Sequence, residues 1–287
     1  MVSSATMDGR VCLITGANSG IGKETAFGLA DMGATIVMVS RNAERGEAVL
    51  AEIRQRSGND HVTLLVADLA SLDSVRGLAQ DFRDQHQELH VLINNAGALN
   101  SQRALSVDGY ELTFAVNHLA HFLLTTLLLD LLKASSPSRI INVSSGSHTR
   151  AEINFDDLNA EAKYGGMSAY GQSKLANVLF TYELARQLEG TGVTANALHP
   201  GVVKTGFGRN NGGAIGLLFK VFQTVASPLL LSASQGAETS IFLASSSEVD
   251  SVSGKYFVKK EPVQSSEASE DVAVAQKLWS MSEELVG

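Results

Sequence analysis

Thr15-Gly16-Ala17-Asn18-Ser19-Gly20-Ile21-Gly22 closes an apolar, β-branched run at 11–15 and opens a stretch of helical period at 21–32. Glycines at such a junction permit a tight turn and let backbone approach an anion closely, while the following helix presents the positive end of its dipole. The spacing, Gly-x-x-x-Gly-x-Gly, is distinct from the Gly-x-Gly-x-x-Gly of the standard dinucleotide fingerprint, so the order of elements around it has to decide the fold. Short strand-like runs at 35–39, 62–66, 91–93, 140–143 and 193–198, with a weaker one at 256–258, alternate with helical patterns at 43–56, 71–85, 110–132 and 169–188. Strand-helix alternation of this kind builds a parallel sheet covered on both faces. The predicted fold is a doubly wound α/β Rossmann fold, a seven-stranded, mainly parallel sheet with helices on both faces. No repeat, low-complexity linker or composition break divides residues 1–287, so a single domain is expected, with a Ser/Glu-rich tail from Gln264.

Composition narrows the function. The chain has 22 basic and 30 acidic residues, a formal charge of −8. Nucleic-acid binding relies on clustered Lys and Arg to displace counterions, so a polyanion partner is a poor reading. No uninterrupted apolar run reaches the ~18–20 residues of a membrane-spanning helix. Residues 1–10 lack the charged-then-apolar order of a signal peptide, and the one cysteine, Cys12, requires no oxidising compartment. The expected setting is cytoplasmic, with no membrane span and no nucleic-acid partner.

The end of the second strand indicates the nucleotide. An Asp or Glu there binds the ribose hydroxyls of NAD and repels a 2′-phosphate. This chain has Ser40-Arg41-Asn42 instead. A guanidinium beside a hydroxyl suits the extra phosphate through charge-assisted hydrogen bonds, so NADP(H) is the expected cofactor. Asp68-Leu69, ending the third strand, fits the adenine edge.

Taken in order, Thr15-Gly16 to Gly22, Asn94-Asn95-Ala96-Gly97, Asn117, Asn142-Val143-Ser144-Ser145, Tyr170-x-x-x-Lys174 and Pro200-Gly201 resemble the short-chain dehydrogenase/reductase family over roughly the first 205 residues. Val116-Asn117-His118-Leu119-Ala120-His121-Phe122 and Tyr170-Gly171-Gln172-Ser173-Lys174-Leu175-Ala176-Asn177 resemble its retinol-dehydrogenase-like branch. Independently of any family, Tyr170 and Lys174 lie four apart and share one helix face. A phenol of pKa ~10 is a poor base, and a nearby ammonium favours its ionised form. The resemblance implies that Tyr170 exchanges the substrate proton while Lys174 also holds the nicotinamide ribose. It further implies that Ser145 stabilises the substrate oxygen and that Asn117 holds a water linking Lys174 to solvent. By residue type alone Ser144, Ser145 and Ser147 are equally placed; the family pattern selects Ser145. The implied cofactor contacts are Gly16, Asn18, Ser19, Gly20, Ile21, Gly22, Asn95, Ala96, Gly97, Pro200, Gly201, Val203 and Thr205.

These readings predict reversible hydride transfer between NADP(H) and a lipophilic carbonyl or its alcohol, a steroid or secondary-metabolite ketoreductase being one variant. A non-catalytic nucleotide sensor on the same fold need not keep Asn117, Ser145, Tyr170 and Lys174 together. Hydrolase chemistry fails because Gly171-Gln172-Ser173-Lys174-Leu175 lacks the second glycine of a nucleophile elbow. His118 and His121, three apart, read as structural, and no metal is implied. Residues 206–231 combine a glycine-rich hinge with Ile215, Leu218, Phe219, Phe222 and Val225 at helical spacing, which reads as a lid over an apolar substrate. The family commonly forms dimers or tetramers on the helices bearing Asn117 and Tyr170, so a homodimer or homotetramer is expected. The Leu-rich run at 122–132 suits either such an interface or a core.

Overall fold

The computed structural model describes residues 6–203 and 230–287. Strands β1 (Val11–Thr15), β2 (Thr35–Ser40), β3 (Val62–Val66), β4 (Val91–Asn94), β5 (Ser138–Val143), β6 (Val193–His199), β7 (Tyr256–Val258) and β8 (Glu261–Val263) form one sheet in the order β3-β2-β1-β4-β5-β6-β7-β8. The first seven run parallel. Winding reverses between β1 and β4, which opens the crevice at their carboxyl ends where such sheets bind ligands.

Period-two alternation fills both faces. Leu13, Val37, Leu92 and Ile140 point into one core with helices α3 (Leu72–Gln85) and α7 (Gly166–Gln187). Cys12, Ile14, Ile36, Met38, Ile93 and Ile141 point into the other. That second core is closed by α1 (Gly20–Asp31) and α2 (Ala43–Ser57) and by a helix over Ala233–Ser245. Burial pushes the Cys12 thiol up to about 12, which makes it a packing group.

The sheet has eight strands where the sequence predicts seven. β8 folds back antiparallel on β7 through a two-residue turn in which Lys259 and Lys260 both take positive φ, 53° and 69°. Asn-Gly is the usual signature of such a turn, and Lys-Lys hides it. The strained conformation is held from outside. The Lys260 N–H donates to Thr239 Oγ1 at 3.3 Å and its ammonium pairs with Glu238 at 3.0 Å.

The single helix expected over 110–132 is a series of short ones. The buried Glu111 carboxylate accepts from the Thr113 and Phe114 N–H groups and delays the start to α4 (Leu112–Phe114). A π-helical turn, Ala115–Leu119, follows with Asn117 at its centre, then α5 (Ala120–Leu127) and α6 (Leu129–Ala134). Phe122, Leu123, Leu124, Leu128 and Leu132 are buried in the core, while Leu127, Leu129 and Leu131 are half-buried against it. Among the described residues the remaining α-helices, in chain order, are α8 (Ala233–Ser245), α9 (Glu267–Glu270) and α10 (Val272–Val286), the last packed on α7. No helix among the described residues is long and apolar enough to cross a membrane. The expected lid and Thr205 lie outside the described residues, apart from Leu230 and Leu231. Leu231 bridges in parallel to Val203 and donates its N–H to Val202 O at 2.9 Å.

Candidate active site

The glycine turn between β1 and α1 is built against the loop after β4. Gly16 has φ +66°, and a Cβ there would lie 2.9 Å from the Ala96 Cα. At Gly22 a Cβ would lie 2.4 Å from both Gly16 O and Asn95 Nδ2. Asn95 Nδ2 donates to Thr15 O at 2.8 Å, and Thr15 Oγ1 accepts from the N–H groups of Asn95 and Ala96 at 2.9 and 3.0 Å. Asn95 and Ala96 thus set the shape of the turn. Ser19, the N-cap of α1, is extended and its side chain makes no capping bond; the first turn carries no acid. The leading N–H groups of α1, with Asn18, Gly20 and Ile21 around them, form a cradle of the kind that takes a pyrophosphate.

At the end of β2 the three expected residues divide. The buried Ser40 hydroxyl donates to Asn42 O at 2.9 Å, and the Asn42 side chain caps α2 by accepting from the Arg45 N–H at 2.7 Å. Arg41 is exposed there. Asp68 spends Oδ1 on the Ala70 N–H at 3.0 Å, and Leu69 is buried. Gly97 is exposed beyond the cradle, and Pro200, Gly201 (φ +84°) and Val203 follow β6 at the same end of the sheet.

The three chemistry-bearing side chains come together between β5 and α7. Lys174 is stitched to the end of β5 at both ends: its Nζ donates to Val143 O at 2.9 Å and its carbonyl accepts from Ser144 Oγ at 2.8 Å. Ser144 is thereby used, and Ser145 is the hydroxyl that hydrogen-bonds Tyr170. Ser145 Oγ also lies 3.3 Å from Ser147 Oγ and accepts from the Ser147 N–H. The Lys174 ammonium sits 5.7 Å from the Tyr170 ring centre. Burial dominates both groups. It raises the Tyr170 phenol to about 12, with the Ser145 hydrogen bond acting in the opposite sense, and draws Lys174 down to about 7. The ammonium that the sequence places beside the phenol therefore does not depress it here, because desolvation of the phenol is the larger effect.

Asn117 is wholly buried and grips two partners. Its amide exchanges hydrogen bonds with the Ala98 backbone at 2.7 and 3.0 Å, and its Nδ2 donates to Ser173 Oγ at 2.9 Å. Ser173 Oγ in turn donates to Tyr170 O at 2.8 Å, so Asn117 ties the loop after β4 to the turn carrying the phenol. His118 and His121 point apart, the first to Ser282 Oγ at 2.8 Å and the second to Thr15 Oγ1 at 3.4 Å. Burial holds both near pKa 3.

Two residues at the site escape a reading of motifs. His148 Nδ1 donates to Ser145 O at 2.8 Å, and His199 Nδ1 accepts from the Gly146 N–H at 3.2 Å. Strand register would have found the second: β5 and β6 pair Val143 with Leu198, which sets His199 beside Ser144.

A phosphate cradle at the sheet's switch point with a phenol, hydroxyl and ammonium gathered beside it defines an oxidoreductase built around a dinucleotide. Residues 10–214 match the family model described as short chain dehydrogenase, and the chain belongs to the short-chain dehydrogenase/reductase family. It is 47% identical over 290 residues to retinol dehydrogenase 13 of Homo sapiens, covering 99% of this chain and 87% of that protein. With retinol dehydrogenase 14 of Homo sapiens the identity is 46% over 295 residues, covering 98% and 87%. Among solved structures, a protein from Mycobacterium paratuberculosis is 35% identical with a TM-score of 0.79, over 99% of this chain and 96% of that one. The RhlG/NADP complex of Pseudomonas aeruginosa is 26% identical with a TM-score of 0.71, over 88% and 95%.

Proposed function

We propose that this oxidoreductase uses NADP(H) to interconvert a lipophilic aldehyde or ketone and its alcohol. The observation that carries the reading is the convergence of Ser145, Tyr170 and Lys174 beside the cradle of Gly16 to Gly22. A phenol held near pKa 12 is protonated at neutral pH and suited to giving its proton to a substrate oxygen that is gaining negative charge. Ser145, already hydrogen-bonded to that phenol, donates to the same oxygen. Lys174, drawn to about 7, is fixed at Val143 O and available to a ribose hydroxyl. The cofactor supplies the hydride when bound.

Arg41, exposed at the end of β2 where an NAD-binding chain carries an acid, supports NADP over NAD. Lipophilicity rests on two exposed apolar side chains at the carboxyl ends of the strands. Met167, 58% exposed, stands one turn before Tyr170 on the same helix face, and Val202, 59% exposed, follows Gly201. The names of the retinol dehydrogenases, relatives acting on an apolar alcohol, agree with this.

The test is a panel of aliphatic, aromatic and isoprenoid aldehydes and ketones with NADPH and with NADH. Faster turnover with NADPH, rising with the apolar size of the carbonyl, is expected. Tyr170→Phe should lose about 10²–10⁴ in rate while still binding NADPH. Substantial activity in Tyr170→Phe, or a preference for NADH, overturns the corresponding part of the reading.

A further inference from the structure

We propose that His148 and His199 are positioning residues that hold Ser145 against Tyr170 by gripping, from its two sides, the one peptide group that joins Ser145 to Gly146. The carbonyl of that group accepts from His148 Nδ1 at 2.8 Å, and its N–H donates to His199 Nδ1 at 3.2 Å. His148 is anchored in turn: its Nε2 accepts from the Ser266 N–H at 3.2 Å and its ring lies 4.7 Å from that of Tyr256. The inference rests on the role proposed above for Ser145.

The partners fix opposite tautomers. His148 faces a carbonyl with Nδ1 and an N–H with Nε2, so its proton is on Nδ1. His199 faces an N–H with Nδ1, so its proton is on Nε2. Protonating either ring sets N–H against N–H, at Ser266 for His148 and at Gly146 for His199. Both rings must stay neutral, and burial lowers the pKa of both, the neighbouring His148 lowering that of His199 further. On the elements packed against the 3-10 turn Gly146–Arg150 the titratable groups are Tyr170, Lys174, Tyr182, Glu183 and Arg186 of α7, Tyr256 of β7, and Glu267 and Glu270 of α9, and the turn itself carries Arg150. Among the described residues no carboxylate counters the effect of burial on either ring; the hydrogen bond to Ser145 O acts in the opposite sense on His148. The grip therefore holds through neutral pH and fails on acidification.

Two measurements decide it. With 15N-labelled histidine at neutral pH, His148 is expected as the Nδ1–H and His199 as the Nε2–H tautomer, assigned with His148→Asn and His199→Asn. A His199 protonated on Nδ1, or either ring charged, overturns the grip whether or not the enzyme turns over. With 4-nitrobenzaldehyde and NADPH, His199→Leu is expected to lower kcat about 10–100-fold with little change in the NADPH KM, the cost of a small misplacement at a reacting centre. His199→Asn, whose Oδ1 can take the Nδ1 place without a titrating proton, should restore most of that rate and carry the acid limb of kcat to lower pH. On a Ser145→Ala background the effect of His199→Leu should vanish, since coupled residues do not add. A loss undiminished on that background, or none in wild type, overturns the inference. A Ser145→Ala protein as active as wild type removes the role of Ser145 itself, and with it the catalytic purpose of the grip.

Discussion

Lys174 is an ammonium that the fold carries at a cost. Burial draws it to about 7 from an ordinary 10.5, so the folded protein binds its proton less tightly than the unfolded chain does. The penalty is absent above the unfolded value, grows as pH falls from about 10.5 to about 7, and is constant below that. Lys174→Met is therefore expected to be more stable than wild type at pH 6, by as much as roughly 3–5 kcal/mol less the lost bond to Val143, with no such gain above pH 10.5. Urea denaturation of both proteins at pH 6, 8 and 10.5 measures it, and equal stability at pH 6 refutes it. The same variant should be catalytically crippled, since a residue kept at the expense of stability is kept for chemistry. Arg41 is the converse case, exposed and cheap to change. Arg41→Asp should leave stability within about 0.5 kcal/mol. It should raise the NADPH KM at least about tenfold, with the NADH KM little changed, because only NADP offers a phosphate for the guanidinium to bind.

The turn from β1 into α1 shows why glycine is needed where the sequence repeats it. The Cβ of Gly22→Ala would meet backbone, Gly16 O at 2.4 Å, which cannot swing aside as a side chain could. That variant should lose about 1–3 kcal/mol from overpacking, and NADPH affinity with it, as thermal unfolding and cofactor titration would show. Much at this scale was legible. Strand positions and the parallel sheet follow from β-branched runs separated by helical periods, and β1, β3 and β7 have the predicted bounds. Tyr170 and Lys174 share a helix face because the helix runs through both. What could not be read depended on where particular polar side chains turn once the chain is folded. The delayed start of the helix expected over 110–132 needs the Glu111 carboxylate turned inward onto its own helix start, which a hydrophobic pattern does not encode. β8 needs a Lys-Lys turn stabilised from α8. The division of labour among Ser144, Ser145 and Ser147 appears only once Lys174 O is known to take Ser144.

At the scale of the molecule, the carboxyl-terminal helix covers part of the face on which the resemblance led an oligomer to be expected. α10 lies on α7 and on the π-turn, with Ser282 bonded to His118 and Trp279 packed at 4.9 Å from Phe122 and 5.7 Å from Phe180. Its far end is tied down by Tyr110, whose hydroxyl donates to Leu285 O at 2.7 Å, and by Arg76, which donates to the carbonyls of Val286 and Gly287. Phe122, Phe180 and Leu278 are all nearly inaccessible as a result. A second copy seated on the surface that α10 covers would have to displace this helix, giving up contacts already made within the chain. Trp279 is the only tryptophan, so its emission reports on this face alone. Dilution across the micromolar range is expected to leave that emission unshifted whatever mass light scattering gives, because the cover is intramolecular. Leu278→Ala, which opens a cavity beneath the helix, should cost about 2–5 kcal/mol and shift the emission to the red. A red shift on dilution of the wild type would instead show that a partner molecule, and not α10 by itself, shields Trp279.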